Sequence, residues 1–319
     1  MSSKPNKIRG VVVSARENSE FELVKRQILE CDQEITVVAF SEILHSPELL
    51  QSDEIDLILT IGGDGSVAWL VGAYYKAFDT IEGIKPIVPV VRPESVGYLK
   101  QLDLEGDNFK EGFIRLLSGD YEVVQRTVLQ ITVDEQKIVA VNEVLLSSSP
   151  HLGKFIVSIV NGKGTTKEVI AEILADGAMI ATSIGSTAWA LSHGGLLNIH
   201  EDSLELIFIG AMHRGANYVI PRKGTIIIDL DLKNPVVTKE TVFAYNQARE
   251  LRNLPHDDNA RETLGIVYSS QVLADGKVLT FGSKSIAIDP SWSIPFVMIK
   301  DHTVYEKARR YTKNTESLW

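Results

Sequence analysis

The N-terminal part of the chain alternates between short apolar runs and segments with helical spacing. The runs are rich in Val and Ile, which favours strands, and the segments between them repeat apolar positions with the period of a helix. Strands that alternate with helices imply parallel pairing through right-handed crossovers, and their continuous apolar character fits a sheet covered on both faces. The predicted strands are residues 8–15, 35–40, 55–63 and 85–91, and the predicted helices are residues 21–31 and 66–78.

The pattern changes near residue 120, where strand follows strand with polar and apolar alternation and short Gly, Asp and Lys turns. We therefore predict an α/β domain with a parallel sheet over residues 1–118 and a β-rich domain over residues 119–300. Helical spacing returns in the tail, residues 301–319, which we expect to pack back on the first domain. Residues 241–263 form a polar, helix-prone island among the strands.

Composition narrows the function classes. The 319 residues include 32 Lys and Arg against 42 Asp and Glu, a net charge of −10, which argues against a nucleic-acid binder but permits a small anionic ligand. The single Cys31 excludes an intramolecular disulfide and a cysteine-based zinc site. No apolar stretch approaches the roughly 20 residues that span a bilayer, and the first residues lack the apolar core of a signal peptide. We expect a cytoplasmic protein with no membrane partner.

The first stretch that can carry chemistry is Gly62-Gly63-Asp64-Gly65, which ends a β-branched apolar run and precedes a helical segment. A tight turn with Asp64 as helix N-cap would explain part of it. A turn needs only one or two glycines, however, so three indicate that the backbone lets a ligand come close. Glycine amides at a helix N-terminus bind phosphate, and Asp64 would then accept a proton or organise a metal. Neither a Walker A loop nor a G-x-G-x-x-G fingerprint is present.

Two further clusters lie in the β-rich part. Asn142-Glu143 interrupts an apolar strand, where an amide and a carboxylate are costly to bury unless a partner such as a diol pairs with them; a plain hairpin edge is the alternative. Residues 175–195, "ADGAMIATSIGSTAWALSHGG", place Gly185-Ser186-Thr187 before a helical stretch and close it with Gly194-Gly195. A capped helix between two strands, with surface side chains at its end, is the alternative there.

Together these clusters resemble one family. The order and separation of "GGDG", "NE", "DG…GSTAWALSHGG" and "ADGK" (274–277) are similar to those of the NAD kinases, over most of the chain. The resemblance implies an N-terminal α/β domain, a C-terminal β-rich domain and transfer of a phosphoryl group from ATP or polyphosphate to the 2′-hydroxyl of the adenosine ribose of NAD. It also implies Mg²⁺ as cofactor, no nucleic-acid partner, and a homodimer or homotetramer.

The resemblance further implies roles for individual residues. Asp64 takes the place of the catalytic carboxylate, and Gly62, Gly63 and Gly65 lie where the donor phosphates bind. No residue is assigned as a metal ligand. The residues implied for the NAD site are Tyr98, Asn142, Glu143, Asp176, Thr187, Ala188, Trp189 and Ser192, and further candidates are Arg92, His213 and Asp275.

The sequence also departs from the family pattern. Arg92 and Glu94 stand where the family has Asn and Gly, Ser183-Ile184 replaces Thr-Pro, and Trp189 replaces Tyr. We consider two hypotheses for Arg92: a surface pair with Glu94, or a contact with a phosphate or with an acceptor other than NAD. The alternative functions are a divergent kinase that acts on a nucleoside, sugar or lipid acceptor, and a non-catalytic dinucleotide-binding protein.

Overall fold

The chain divides into two compact units. The first unit is formed by two segments of the chain, Met1–Val128 and Ser293–Trp319. The second unit is the continuous segment Leu129–Trp292. The structure is a computed structural model, and it describes residues 7–46, 49, 53–93, 99–104, 107–148, 152–161, 166–212, 217–231, 239–252, 254–260 and 270–299.

The first unit is built on one sheet. Within the described residues it has seven strands in the order β2-β1-β3-β4-β19-β6, and β5 also pairs with β4. All pairings are parallel except that of β19 with β6. Every residue of β1, β3 and β4 is buried, which confirms the prediction of a sheet covered on both faces. The strands are β1 (Gly10–Ser14), β2 (Thr36–Ala39), β3 (Leu57–Ile61), β4 (Ile87–Val91), β5 (Leu102–Asp103), β6 (Tyr121–Thr127) and β19 (Ser293–Ile299).

Four helices of the described residues accompany this sheet. They are α1 (Asn18–Cys31), α2 (Phe40–His45), α3 (Asp64–Phe78) and α4 (Asp107–Leu117). The apolar positions Val24 and Ile28 that predict α1 are buried in the core, together with Phe109 and Phe113 of α4. Among the helices that the structure describes, none combines the length and apolar character that crossing a bilayer requires.

The second unit consists of two antiparallel sheets. In the described residues, one has the strand order β11-β10-β15-β18-β7-β8 and the other β14-β13-β12-β9-β16-β17. The first group is β7 (Leu129–Val133), β8 (Gln136–Ala140), β10 (Gly153–Val160), β11 (Lys167–Ala175), β15 (Thr225–Asp231) and β18 (Ser285–Asp289). The second group is β9 (Glu143–Ser147), β12 (Gly177–Ala181), β13 (Ser203–Ile209), β14 (Tyr218–Pro221), β16 (Gln271–Ala274) and β17 (Lys277–Phe281).

The central strands β9, β12 and β13 of the second sheet are buried on both faces. On one face Val144, Leu146 and Ile180 join residues of the other sheet in a common core. On the opposite face Leu145, Met179 and Ile207 pack against Ala190 of a short helix, α5 (Trp189–Ser192), which follows a 3₁₀ turn at Gly185–Thr187. We refer to this second face as the α5 face. The first part of the polar island is helical, in α6 (Lys239–Glu250).

The fold class predicted from the sequence, a parallel α/β unit followed by a β-rich unit, is confirmed. The observed division lies at Val128 rather than at the predicted residue 118, because β6 pairs along its whole length with β19 in the sheet of the first unit. For the same reason residues from Ser293 onward return to the first unit before the predicted end at residue 300. The predicted tail, residues 301–319, lies outside the described residues.

Candidate functional site

The glycine-rich stretch lies at the carboxyl end of β3, at the edge where open α/β sheets bind ligands. Gly62 has φ +134°, and a Cβ there would lie 2.0 Å from the Ser66 hydroxyl oxygen, so the turn itself requires glycine. Gly63 is the N-cap of α3. A Cβ at Gly65 would meet nothing within 4 Å, so this side of the first turn is open. The first unit therefore presents an accessible helix N-terminus, as phosphate binding requires.

Asp64 is the first residue of α3 and is partly buried. Its Oδ1 accepts a hydrogen bond from the Leu99 backbone N–H at 3.0 Å, which ties the carboxylate to the segment after β4. The N-cap is Gly63 and not Asp64, so helix capping does not explain this carboxylate. The geometry holds Asp64 in one orientation beside the glycine loop.

Arg92 follows β4 and lies next to the same loop, since a Cβ at Gly62 would be 3.9 Å from the Arg92 Nη1 atom. Its guanidinium pairs with Glu20 in the first turn of α1. Arg92, Glu20 and Arg16 line a cleft of about 410 Å³ at the carboxyl ends of β1 and β4. Glu94, the pairing partner considered from the sequence, lies outside the described residues.

In the second unit, Asn142 and Glu143 lie at the start of β9, both buried. Asp275, in the tight turn between β16 and β17, anchors them by accepting the backbone N–H groups of Val141 at 3.0 Å and Asn142 at 2.7 Å. Asp275 adopts a left-handed backbone conformation, with φ +46°, and its own N–H donates to the Glu143 carbonyl at 3.1 Å. The sequence motifs "NE" and "ADGK" therefore form one local structure.

Glu143 and Asp275 are both carboxyl groups with raised pKa values. Burial, and secondly the nearby Asp275 carboxylate, raise the pKa of Glu143 to about 8. Burial also raises the pKa of Asp275. The Oε2 atom of Glu143 and the Oδ1 atom of Asn142 are buried without a hydrogen-bond partner among the described residues. Buried polar atoms are normally paired, so these two acceptors indicate a bound group that donates hydrogen bonds.

The 3₁₀ turn packs directly on this cluster. A Cβ at Gly185 would lie 2.0 Å from the Asn142 carbonyl oxygen, so only glycine permits the approach. Thr182 connects the 3₁₀ turn to the segment before β9. Its hydroxyl donates a hydrogen bond to the Val141 carbonyl at 2.6 Å and accepts one from the Gly185 N–H at 3.1 Å. The Thr187 hydroxyl donates to the Ile184 carbonyl at 3.0 Å and closes the turn. Ala188 links the turn to α5.

A cavity of about 370 Å³ lies on the α5 face of the same unit. Leu145, Asp176, Trp189 and His193 are among the residues that line it. Asp176 is held by its backbone, which donates to the Ile209 carbonyl and accepts the Ser148 N–H, both at 2.8 Å. Ser192 does not line the cavity, and its hydroxyl donates to the Trp189 carbonyl at 2.7 Å. The predicted residues Tyr98 and His213 lie outside the described residues.

Two side chains of the candidate site, Glu20 and Glu205, were not predicted from the sequence. Glu20 sits in a solvated helical pattern and gives no signal. Glu205 is buried in β13, where it interrupts the apolar run "SLELIFI" much as Glu143 interrupts its own strand, and that signal could have identified it. No group of three or more His, Cys, Asp or Glu side chains able to hold a metal occurs within the described ranges.

Sequence comparison supplies named relatives. An NAD kinase from Methanothermobacter thermautotrophicus is 32% identical to the chain over 148 residues, which are 46% of this chain and 48% of that protein. The chain spans about half the length of this and other curated relatives that it matches. No protein-family model matches the chain.

Solved structures supply the fold. Yeast NADH kinase complexed with NADH aligns with a TM-score of 0.66 at 17% identity and covers 97% of this chain and 87% of that one. An NAD kinase from Archaeoglobus fulgidus in complex with ATP aligns with a TM-score of 0.64 at 21% identity and covers 96% and 98%. The chain thus has the α/β and β-rich fold of these two kinase structures. Within that class, its resemblance to the NAD kinases is confirmed.

Proposed function

We propose that the protein transfers the γ-phosphoryl group of ATP to the 2′-hydroxyl of the adenosine ribose of NAD, giving NADP and ADP. The bond between the γ-phosphorus and the ADP oxygen breaks, a bond forms between that phosphorus and the 2′-oxygen, and the hydroxyl proton is transferred to the Asp64 carboxylate. Phosphoryl transfer asks the protein mainly for positioning and charge stabilisation, which suits an acidic chain with a glycine loop.

The observation that carries the proposal is that Glu143 Oε2 and Asn142 Oδ1 are both buried without a hydrogen-bond partner in the described part of the chain. A ribose presents neighbouring hydroxyl donors that would satisfy both acceptors. Trp189 and Asp176, on the wall of the adjacent cavity, supply an aromatic face and an acceptor for a base. This set of groups matches a nucleoside better than a lipid acceptor.

Asp64 is assigned as the general base because a secondary hydroxyl is a poor nucleophile. The Leu99 N–H fixes the carboxylate through Oδ1, so its orientation is set before the acceptor arrives. We place the donor phosphates at the amides of Gly63 and Gly65, because the Gly62 N–H already donates to the Val90 carbonyl at 2.8 Å. The predicted NAD-site residues Thr187, Ala188, Ser192 and Tyr98 stay part of this proposal. Arg92, His213 and Asp275 stay candidates without an assigned role.

Mg²⁺ belongs to the same proposal. It is commonly held by one or two carboxylates together with substrate phosphates, and Asp64 beside the glycine loop fits that mode without a dedicated cluster. When bound, Mg²⁺ would neutralise charge on the triphosphate. A homodimer or homotetramer is proposed on the resemblance alone, and the cytoplasmic location expected from the sequence is proposed with it.

The test is an assay of the purified chain with ATP, Mg²⁺ and a panel of acceptors: NAD, NADH, adenosine and diacylglycerol. We expect NADP or NADPH as product, detected with an NADP-specific dehydrogenase, and none with diacylglycerol. Phosphorylation of adenosine or diacylglycerol in place of the dinucleotides would overturn the proposal, and binding of NAD without turnover would favour a non-catalytic protein.

A further inference from the structure

Glu205 is a buried carboxyl outside the cluster described above. It lies on β13, is 1% exposed, and is paired in register with Ala181 of β12 and Val219 of β14. Ala181 is in turn paired with Glu143 of β9. Residues directly opposite one another on neighbouring strands project from the same face. Glu205 therefore shares the α5 face with Glu143, two strands away.

On that face Glu205 contacts the turn that follows α5. Its Oε2 accepts the Leu196 backbone N–H at 3.0 Å. A Cβ at Gly195 would lie 2.8 Å from the same oxygen, 2.7 Å from the Ala190 carbonyl oxygen and 2.9 Å from Ile207 Cδ1, so no side chain fits. The Gly195 N–H donates to the Ala190 carbonyl at 3.0 Å. The turn is thus clamped between the carboxyl and α5.

Stability does not explain this carboxyl. Its Oε1 has no hydrogen-bond partner within the described ranges, and one backbone donor compensates poorly for burying the group. Burial raises the pKa of Glu205 to about 7, against the opposing effect of the Leu196 N–H. An apolar side chain would cost less here, because Ala181, Ala190 and Ile207 on the same face are apolar and buried. The presence of a carboxyl group at this position must therefore be explained by the contact that it makes with the turn after α5.

The turn that Glu205 contacts supports α5, which forms part of the cavity wall. Helix α5 has only four residues, and so short a helix depends on tertiary contacts for its conformation. Two residues at the ends of α5 line the cavity: Trp189 is the first residue of the helix, and His193 follows its last residue. They are linked directly, since His193 Nδ1 lies 3.0 Å from the Trp189 carbonyl oxygen. A shift of the turn at Gly195 would therefore be transmitted to the Trp189 ring.

We propose that Glu205 is a positioning residue for the acceptor: through the Leu196 N–H it fixes the Gly194–Leu196 turn, and with it Trp189 on the cavity wall. The clamp follows from the geometry, while the identity of the acceptor as NAD rests on the proposed function.

The strength of the contact between Glu205 and the turn depends on the ionisation of Glu205. An ionised carboxylate accepts the Leu196 N–H more strongly than a protonated one, so the clamp tightens as pH rises through neutrality. The elements packed around the group present Ala181, Val219, Ala190 and the backbone of Gly195 and Leu196. Among the described residues, Glu143 on β9 shares this face, and Asp176 and His193 line the cavity on it. Burial raises the pKa of Glu143 as well, so its contribution must be separated from that of Glu205.

The experiment compares Glu205→Leu, which removes the acceptor, with Glu205→Gln, which keeps an acceptor oxygen but no charge. Glu172→Gln is the matched control, because Glu172 is an exposed carboxylate in the other sheet, paired with Lys154. Hydrogen exchange of the Leu196 amide, Trp189 fluorescence, and calorimetric affinities for NAD and ATP are measured from pH 6 to pH 8.5 after thermal melting has confirmed folding.

For Glu205→Leu we expect faster exchange at Leu196, altered Trp189 emission and about tenfold weaker NAD binding, with ATP affinity and the turnover at saturating NAD unchanged. In Glu205→Gln these changes should be smaller, and NAD affinity should rise less from pH 6 to pH 8 than in the wild type and in Glu172→Gln, which keep the contributions of both Glu205 and Glu143. Unchanged exchange at Leu196, or faster exchange with unchanged NAD affinity, would overturn the proposal. If the wild type binds no NAD, the proposed function fails, and exchange and fluorescence still decide the clamp.

Discussion

Arg92 and Glu20 form a two-point ion pair between the end of β4 and the first turn of α1. The Arg92 Nε donates to Glu20 Oε1, and Nη2 donates to Oε2 at 2.9 Å. Both side chains are partly buried, and this contact holds the pKa of Glu20 below its usual range. Arg92 is therefore not a freely solvated surface charge, and its fixed guanidinium lies beside Gly62. Its role toward a phosphate stays a prediction.

Arg92→Asn should raise the KM for ATP about tenfold, because a charge-assisted contact with a donor phosphate would be lost. Added salt should weaken ATP binding by the wild type more than by the variant. The measurement is steady-state kinetics with ATP over a range of ionic strength. Glu20→Gln is the control, since it disturbs the ion pair but leaves the cation.

Identical kinetics for Arg92→Asn and the wild type at every salt concentration would limit Arg92 to structural pairing with Glu20. Higher activity with NAD in the variant would instead assign Arg92 to acceptor selection.

Asp64→Asn should slow turnover by roughly 10²–10⁴-fold while the fold and most of the NAD affinity persist. An amide oxygen can still accept the Leu99 N–H, so the side chain stays in place, but it cannot take the acceptor proton. Single-turnover rates and calorimetry separate these effects. Gly63→Val serves as comparison, because a bulky residue at the N-cap should raise the KM for ATP. Near-normal turnover of Asp64→Asn would refute the assignment of the base.

NAD binding should release a proton at pH 7. The free protein keeps Glu143 largely protonated because its pKa is about 8, and hydroxyl donors stabilise the ionised form, so binding lowers that pKa. NAD affinity should accordingly increase as pH rises from 6 to 8. Calorimetry in buffers of different ionisation enthalpy measures the proton count.

Glu143→Gln should remove the share of the released proton that comes from Glu143, and Asn142→Ala and Glu143→Ala should weaken NAD binding more than ATP binding. Equal losses for the two nucleotides would return Asn142 and Glu143 to a purely structural role at a hairpin edge.

The free protein should lose stability as pH rises from about 4.5 to about 8. The pKa values of Glu205 and Glu143 are raised in the folded state to about 7 and about 8, so in this interval the native state binds more protons than the unfolded state. Above pH 8 the loss is complete. Glu205→Gln should exceed the wild type in free energy of unfolding at pH 8.5 by on the order of 2 kcal/mol. Urea unfolding at pH 5 and pH 8.5 tests this, and a wild-type stability that is independent of pH would contradict it.

The sequence by itself determined the elements around the glycine loop. The apolar runs at β1, β3 and β4 and the apolar spacing of α1 depend only on residues close along the chain, so their burial could be predicted. The interruption of β9 by Asn142-Glu143 likewise carries its own signal, since buried polar groups need partners.

Only the tertiary structure decided which distant residues meet. Arg92 pairs with Glu20, which is 72 positions away, rather than with a neighbour in its own loop, because the parallel crossovers bring the carboxyl ends of β1 and β4 to one edge of the sheet. Strand β19 returns to the first unit because β6 offers a pairing edge there. Glu205 reaches the turn after α5 because its strand register places it on the α5 face. Local sequence patterns specify which residues are buried, whereas the chain topology specifies which distant residue each of them contacts.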